Sequence, residues 1–301
     1  MNNQHDSDTF SRFNPILNFT FFIGAVVLTM CFNHPALSIC GAVCSAAYLL
    51  TVKGTKAFKL IGGMLVLFAA VSLINPVFST GGDTVLFTYF GGRPYTFEAL
   101  CYGMCTGGML FSVMLWFSAY NAVMTSDKFI YIFGRLIPAL SLVFTMLLRL
   151  VPSYQKRTAQ IAGARKCIGK SVAGAARKEK VNNGMQILSV MTTWALEGAV
   201  VTADSMRSRG YGTGRRTAFA IYRFDVRDAL LLIFMLALIG VIIAAGISGG
   251  LSAAFIPSVD IAPVTSAWGL TGLTAFGLFL SIPTMINIKE AILWQHFISK
   301  I

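Results

Sequence analysis

Charge is what this sequence has least of. Asp, Glu, Lys and Arg together make up 12% of its 301 residues, about half the share usual in a soluble domain. Hydrophobic types make up 55%, and mean hydropathy is +0.70. A compact water-soluble chain of this length cannot bury that much apolar surface beneath a charged exterior. This excludes an ordinary cytosolic enzyme, a disordered tail protein and a nucleic-acid-binding domain. Histidine is nearly missing: His5, His34 and His296 are the only three. They are too scattered for metal-ligand spacing, and each reads as a surface or interfacial residue. The six cysteines are Cys31, Cys40, Cys44, Cys101, Cys105 and Cys167, and all but Cys167 fall in or beside apolar runs. They read as small core hydrophobes, not as a disulfide framework. The i,i+4 pairs Cys40/Cys44 and Cys101/Cys105 read as packing ahead of a metal or redox pair.

What is present in place of charge is a set of long apolar runs. No charged residue occurs between Phe13 and Val52, a stretch too long for one span, and Asn33-His34-Pro35 breaks it. Spans are predicted near 16–32, 36–52, 58–75, 97–119, 229–247 and 267–287. The runs are continuously apolar without barrel-type alternation, so helices are the spanning elements. The expected fold is all-α: a polytopic membrane protein of about six transmembrane helices with additional cytoplasmic helices. Three regions are expected: a four-span membrane block at 1–128, a basic cytoplasmic region at 129–227, and a two-span block at 228–301.

The positive-inside bias orients the spans. With the N-terminus in the cytoplasm, the outer loops 33–35, 76–96 and 248–266 hold one basic residue, Arg93. Both termini are then cytoplasmic. Two segments remain ambiguous, 129–151 and 185–203. If both spanned, the strongly basic stretch between them would lie outside. They are therefore read as helices resting on or partly in the inner leaflet.

The spans are nearly free of the acids and histidines that transporters use for coupling. Two local patterns read as decoys. Ala164-Arg-Lys-Cys-Ile-Gly169-Lys170-Ser171 imitates a phosphate loop but follows a basic helix, not a buried strand. Asp225-x-x-Asp228 could hold a metal-diphosphate in a membrane transferase, but reads as a charged cap on the fifth span. Gly103 and Gly107 form a G-x-x-x-G that permits close helix approach.

The charge that exists is concentrated. Residues 151–227 hold 14 of the 24 Lys and Arg and only 4 of the 12 Asp and Glu. The block divides into a helix near 152–168 containing Ala164-Arg165-Lys166, a loop through Gly184, and a helix near 185–209 leading into Ser208-Arg209-Gly210. Each helix carries an arginine among small residues near its C-terminus. A partner backbone can approach there, and the guanidinium fork can reach a carboxylate or carbonyls. The residues alone leave open whether that surface meets anionic lipid or a protein.

At these residues the chain resembles the transmembrane T component of energy-coupling factor (ECF) transporters, the EcfT/CbiQ family. Met206-Arg-Ser-Arg-Gly-Tyr-Gly212 with Arg215-Arg216-Thr217 is similar to the second of the family's two Ala-Arg-Gly-type motifs. Ala164-Arg165-Lys166, after Ala159-Gln160, is similar to the first. Leu136-Ile-Pro138, Leu148-Arg149-Leu-Val-Pro152 and Thr96-Phe-Glu-Ala-Leu100 resemble the family's flanking segments. The likeness covers roughly residues 12–247. Lys166 stands where Gly is usual, Asn14-Pro15-Ile16 replaces the family's Asp-Pro-Arg signature, and the last span looks like an addition. The resemblance implies a subunit of a bacterial or archaeal ATP-binding-cassette importer of vitamins or transition-metal ions. It implies no catalysis and no cofactor in this chain. The partners it implies are two cytoplasmic ATPase subunits, met through Ala164, Arg165, Lys166, Ser208, Arg209 and Gly210, and a membrane-embedded substrate-binding S component. The alternative reading is a self-contained permease that binds its own substrate.

Overall fold

A computed structural model describes residues 9–79, 81–89, 93–170, 177–214, 222, 224–255 and 258–298. It is an all-α polytopic membrane protein. A short 3-10 helix (Phe10–Arg12) is followed by α1 (Pro15–Cys31), α2 (Pro35–Lys53), α3 (Thr55–Phe78), α4 (Phe97–Val123), α5 (Ser126–Leu136), α6 (Pro138–Cys167), α7 (Arg177–Ser208), α8 (Val226–Ile247) and α9 (Ala267–Ile298). Two small hairpins interrupt the helices: β1 (Val85–Tyr89) with β2 (Arg93–Thr96), and β3 (Ala253–Ala254) with β4 (Asp260–Ile261). Among the described residues, five helices are long and apolar enough to cross a membrane: α2, α3, α4, α8 and α9 through Trp294. The 17-residue α1 is apolar but shorter, at the lower limit for a span. The ambiguous segments do not reach that standard. Residues 129–151 are not one element, because the chain breaks at Ile137, between α5 and α6.

The chain divides into two compact units, 1–129 with 222–301, and 130–221. In the first, the spans from the two ends of the chain pack as one bundle. Pro15 and Pro35 open α1 and α2, where a missing N–H costs nothing. The side chains just before them cap the helices: Asn14 Oδ1 accepts from Ile16 N at 3.1 Å and His34 Nδ1 from Ala36 N at 3.2 Å. His34 is therefore not a surface residue. It is 2% exposed, and its Nε2 lies 3.3 Å from the Ala262 carbonyl oxygen, far along the chain. His5 and the side chain of His296 lie outside the described residues.

The core of this bundle is aromatic. Phe21 packs edge-on against Trp116 (5.4 Å) and beside Phe279 (5.3 Å), and Tyr48 stacks on Trp116 at 5.9 Å. Phe10 closes one end against Phe21, with its N–H donated to Asn287 Oδ1 at 3.1 Å. The last helix is part of this core: Phe276, Phe279 and Leu280 of α9 are fully buried. Gly103 and Gly107 bring α4 against α3. A Cβ at Gly103 would lie 2.7 Å from the Ser72 carbonyl oxygen, and one at Gly107 would lie 3.2 Å from that of Phe68.

Candidate functional site

The basic region forms the second unit, built on α6 and α7. Helix α6 runs for 30 residues, continuing through Pro152, which costs one hydrogen bond to the Leu148 carbonyl. Helix α7 runs for 32 residues and begins at Arg177. The expected loop through Gly184 is corrected accordingly: 177–184 is the first two turns of α7. Asn182-Asn183-Gly184 has the composition of a turn, but a tertiary contact holds it helical. Arg165 Nη2 donates to Asn183 Oδ1 at 3.0 Å, and Asn183 is 9% exposed.

A second contact lies further along the same seam. Tyr154 meets Trp194 edge-on at 5.3 Å, and the Arg157 guanidinium sits 5.0 Å from the Trp194 ring centre. From Arg165 back to Tyr154 is the same number of residues as from Asn183 forward to Trp194. The helices therefore run antiparallel over about three turns, or roughly 16 Å. Ile187 is buried between these clasps. Beside the seam, Val151, Tyr154, Gln155, Thr158, Ala159 and Ala162 line an open groove along α6.

Both arginine motifs lie at helix ends of one design. Helix α6 closes with Gly169 N donating to the Lys166 carbonyl (3.1 Å) and Lys170 N to the Arg165 carbonyl (3.0 Å). Helix α7 closes with Gly210 N on the Arg207 carbonyl and Tyr211 N on the Met206 carbonyl, each at 3.0 Å. Gly169 and Gly210 have φ of +76° and +79°. Each end is a Schellman turn, whose left-handed position falls to glycine because a Cβ would clash there.

Within this shared frame the two arginines differ. Arg209 immediately precedes the turn glycine. Its side chain is exposed and has no hydrogen bond or ion pair among the described residues. Arg165 stands one turn earlier, is half-buried, and is tied to Asn183, with its Nε buried and unpartnered. The residue that occupies the Arg209 position on α6 is Ile168, 69% exposed. Ala164 and Lys166 are exposed. Ser208 turns its hydroxyl back to the Asp204 carbonyl at 2.9 Å, so it offers a partner little. Arg215, Arg216 and Thr217 lie outside the described residues.

Asn183, Tyr154 and Trp194 were not singled out by the sequence. The signal that could have found them is the matched spacing of a polar and an aromatic position on each helix. The acidic pair outside this unit is committed elsewhere: Asp225 and Asp228 form a reciprocal capping box on α8, with Asp225 N donating to Asp228 Oδ2 at 3.3 Å. No protein-family model matches the chain, and no curated protein matches it.

Proposed function

We propose that this chain is the non-catalytic membrane subunit of an ATP-driven importer of the energy-coupling factor type, in a bacterial or archaeal cell membrane with both termini cytoplasmic. In this reading two cytoplasmic ATPases dock on the ends of α6 and α7. A separate S component in the membrane carries the vitamin or transition-metal ion. Nucleotide-driven closure of the ATPases shifts the two helices, and that motion passes to the S component.

The observation that supports this best is the pair of Schellman ends with arginine at or just before the turn. At the end of α7 an exposed guanidinium, unpaired among the described residues, lies beside a glycine that leaves the backbone open to close approach. Such an end suits a groove with carboxylates or carbonyls, which the fork of five donors can bridge. The groove along α6 adds a shallow apolar surface close to the other end.

The test is capture of the tagged full chain from gently solubilised native membranes, probing for ATP-binding-cassette subunits. Removing one partner of a buried charge pair costs on the order of 2–5 kcal/mol, so Arg209→Glu should abolish capture. Lys166→Gly should leave it intact. A folded wild-type chain that brings down no ATPase, or capture unchanged by both Arg165→Glu and Arg209→Glu, refutes the proposal.

A further inference from the structure

The β1–β2 hairpin carries an apolar surface that nothing among the described residues covers. Val85, Leu86 and Phe87 are each more than half exposed. The pairing slips at Leu86, where Val85 faces Thr96 and Phe87 faces Tyr95. That bulge breaks the usual alternation of faces. Phe87 stacks on Tyr95 with ring centres 4.6 Å apart and planes 12° from parallel. In water such a ribbon, with two bare edges, would be an aggregation template.

The hairpin is also fixed in place. Thr84 donates to the Glu98 carboxylate through its N–H (3.2 Å) and its hydroxyl (2.6 Å). Phe97 N donates to the Thr84 carbonyl at 3.0 Å, and the Thr96 hydroxyl to the Gly81 carbonyl at 2.8 Å. Tyr95 reaches the Leu73 carbonyl on α3 at 3.5 Å. The root of the ribbon is therefore bound to two membrane-crossing helices. It joins the C-terminal end of α3, where Phe78 is 81% exposed, to the first turn of α4, where Phe97 is 49% exposed. Between Phe78 and Val85 the chain passes through Ser79, Gly81, Gly82 and the exposed Asp83 and Thr84, so a short polar stretch suited to headgroups separates the apolar surface of the spans from that of the hairpin.

We infer that the β1–β2 hairpin is a membrane-interface anchor, seated at the boundary between lipid headgroups and acyl chains at the C-terminal end of α3. The N–H and C=O groups along its two edges that have no partner among the described residues set the depth. Hydrocarbon could not satisfy them, whereas headgroups and interfacial water can. Aromatic rings stabilise this level of the bilayer. The anchor fixes how deep and at what tilt α3 and α4 sit.

The test reads depth directly. Phe87→Trp and, separately, Leu86→Trp are placed in the full chain, which is reconstituted alone into phosphatidylcholine vesicles. The emission added over wild type is measured, since the chain already holds four tryptophans. Phosphatidylcholine brominated high on its acyl chains should remove most of the added emission, and aqueous iodide should remove little. Quenching by iodide alone overturns the anchor and places the hairpin in water. Protection from both quenchers also overturns it and means that a second copy of the chain covers the hairpin. The Leu86 variant gives an independent reading if the Phe87 variant does not fold.

Discussion

Replacing Asn183 with alanine should loosen the second unit without unfolding the first. Asn183 supplies the Oδ1 that Arg165 donates to at 3.0 Å, and the Arg165 Nε is already buried without a partner. Removing the acceptor leaves a second guanidinium nitrogen unsatisfied. A hydrogen bond to a charged group contributes about 1.5–3 kcal/mol, and an orphaned buried donor costs about 1–3 kcal/mol. Arg165 is only half-buried, so water reaches part of the fork and the lower half of that range applies. At about 1–2 kcal/mol, local opening should become roughly 5- to 30-fold more frequent. The assay is amide hydrogen exchange by mass spectrometry on the full chain in lipid nanodiscs, because exchange reports local opening free energies. Peptides from α6 and α7 around 160–170 and 180–190 should lose protection, and peptides from α2, α4 and α9 should not. Asn183→Asp keeps an acceptor and should retain most of the protection. Unchanged exchange in Asn183→Ala, or equal loss in Asn183→Asp, would refute the clasp.

Three further outcomes follow from the bundle. His34→Ala removes the α2 cap and the tie to Ala262, so the thermal midpoint should fall by the equivalent of about 1 kcal/mol; His34→Asn should recover most of it. Gly103→Val forces side-chain atoms into the Ser72 carbonyl, and overpacking of that kind costs about 1–3 kcal/mol; size-exclusion yield and melting temperature should drop, while Gly62→Ala, with open space around it, should be near neutral in packing. Lys128 is 5% exposed and donates to Ser11 Oγ and to the Val123 carbonyl, both at 2.9 Å; Lys128→Met should release the N-terminal segment, read as faster tryptic cleavage at Arg12.

The spans were legible because long uncharged runs have one stable solution in lipid, and proline after Asn14 and His34 marked where two of them begin. The capping role of Asp225 and Asp228 was legible for the same local reason. What sequence could not show depends on residues far apart. The burial of His34 was not readable because its second partner, Ala262, lies on a loop 228 residues later. Asn183 looked like a turn because its helical state rests on an arginine of another helix. That α9 completes the core was not readable, because no local pattern reveals that Phe279 joins a ring cluster begun by Phe21. In the candidate site the two arginine-bearing helix ends were readable, but the different settings of Arg165 and Arg209 were not.

That difference has a consequence for docking. If the end of α6 meets an ATPase through Arg165, the guanidinium must first leave Asn183, at a cost of the same 1–2 kcal/mol that the clasp supplies. The free chain is then mostly in the clasped state, and apparent affinity falls by the competent fraction. Asn183→Ala should remove that penalty and tighten ATPase capture roughly 5- to 30-fold, even as it loosens the α6–α7 seam. Arg209 has no such internal competitor among the described residues, so its end should bind at full strength from the outset. Titrating purified ATPase against nanodisc-held wild type, Asn183→Ala and Asn183→Ala/Arg165→Ala separates the cases. A gain in the single variant that vanishes in the double variant assigns the α6 contact to Arg165. Equal affinity in all three means that Arg165 is a structural clasp alone and that α6 docks, where it docks, through the exposed Lys166 and Ile168 at its turn.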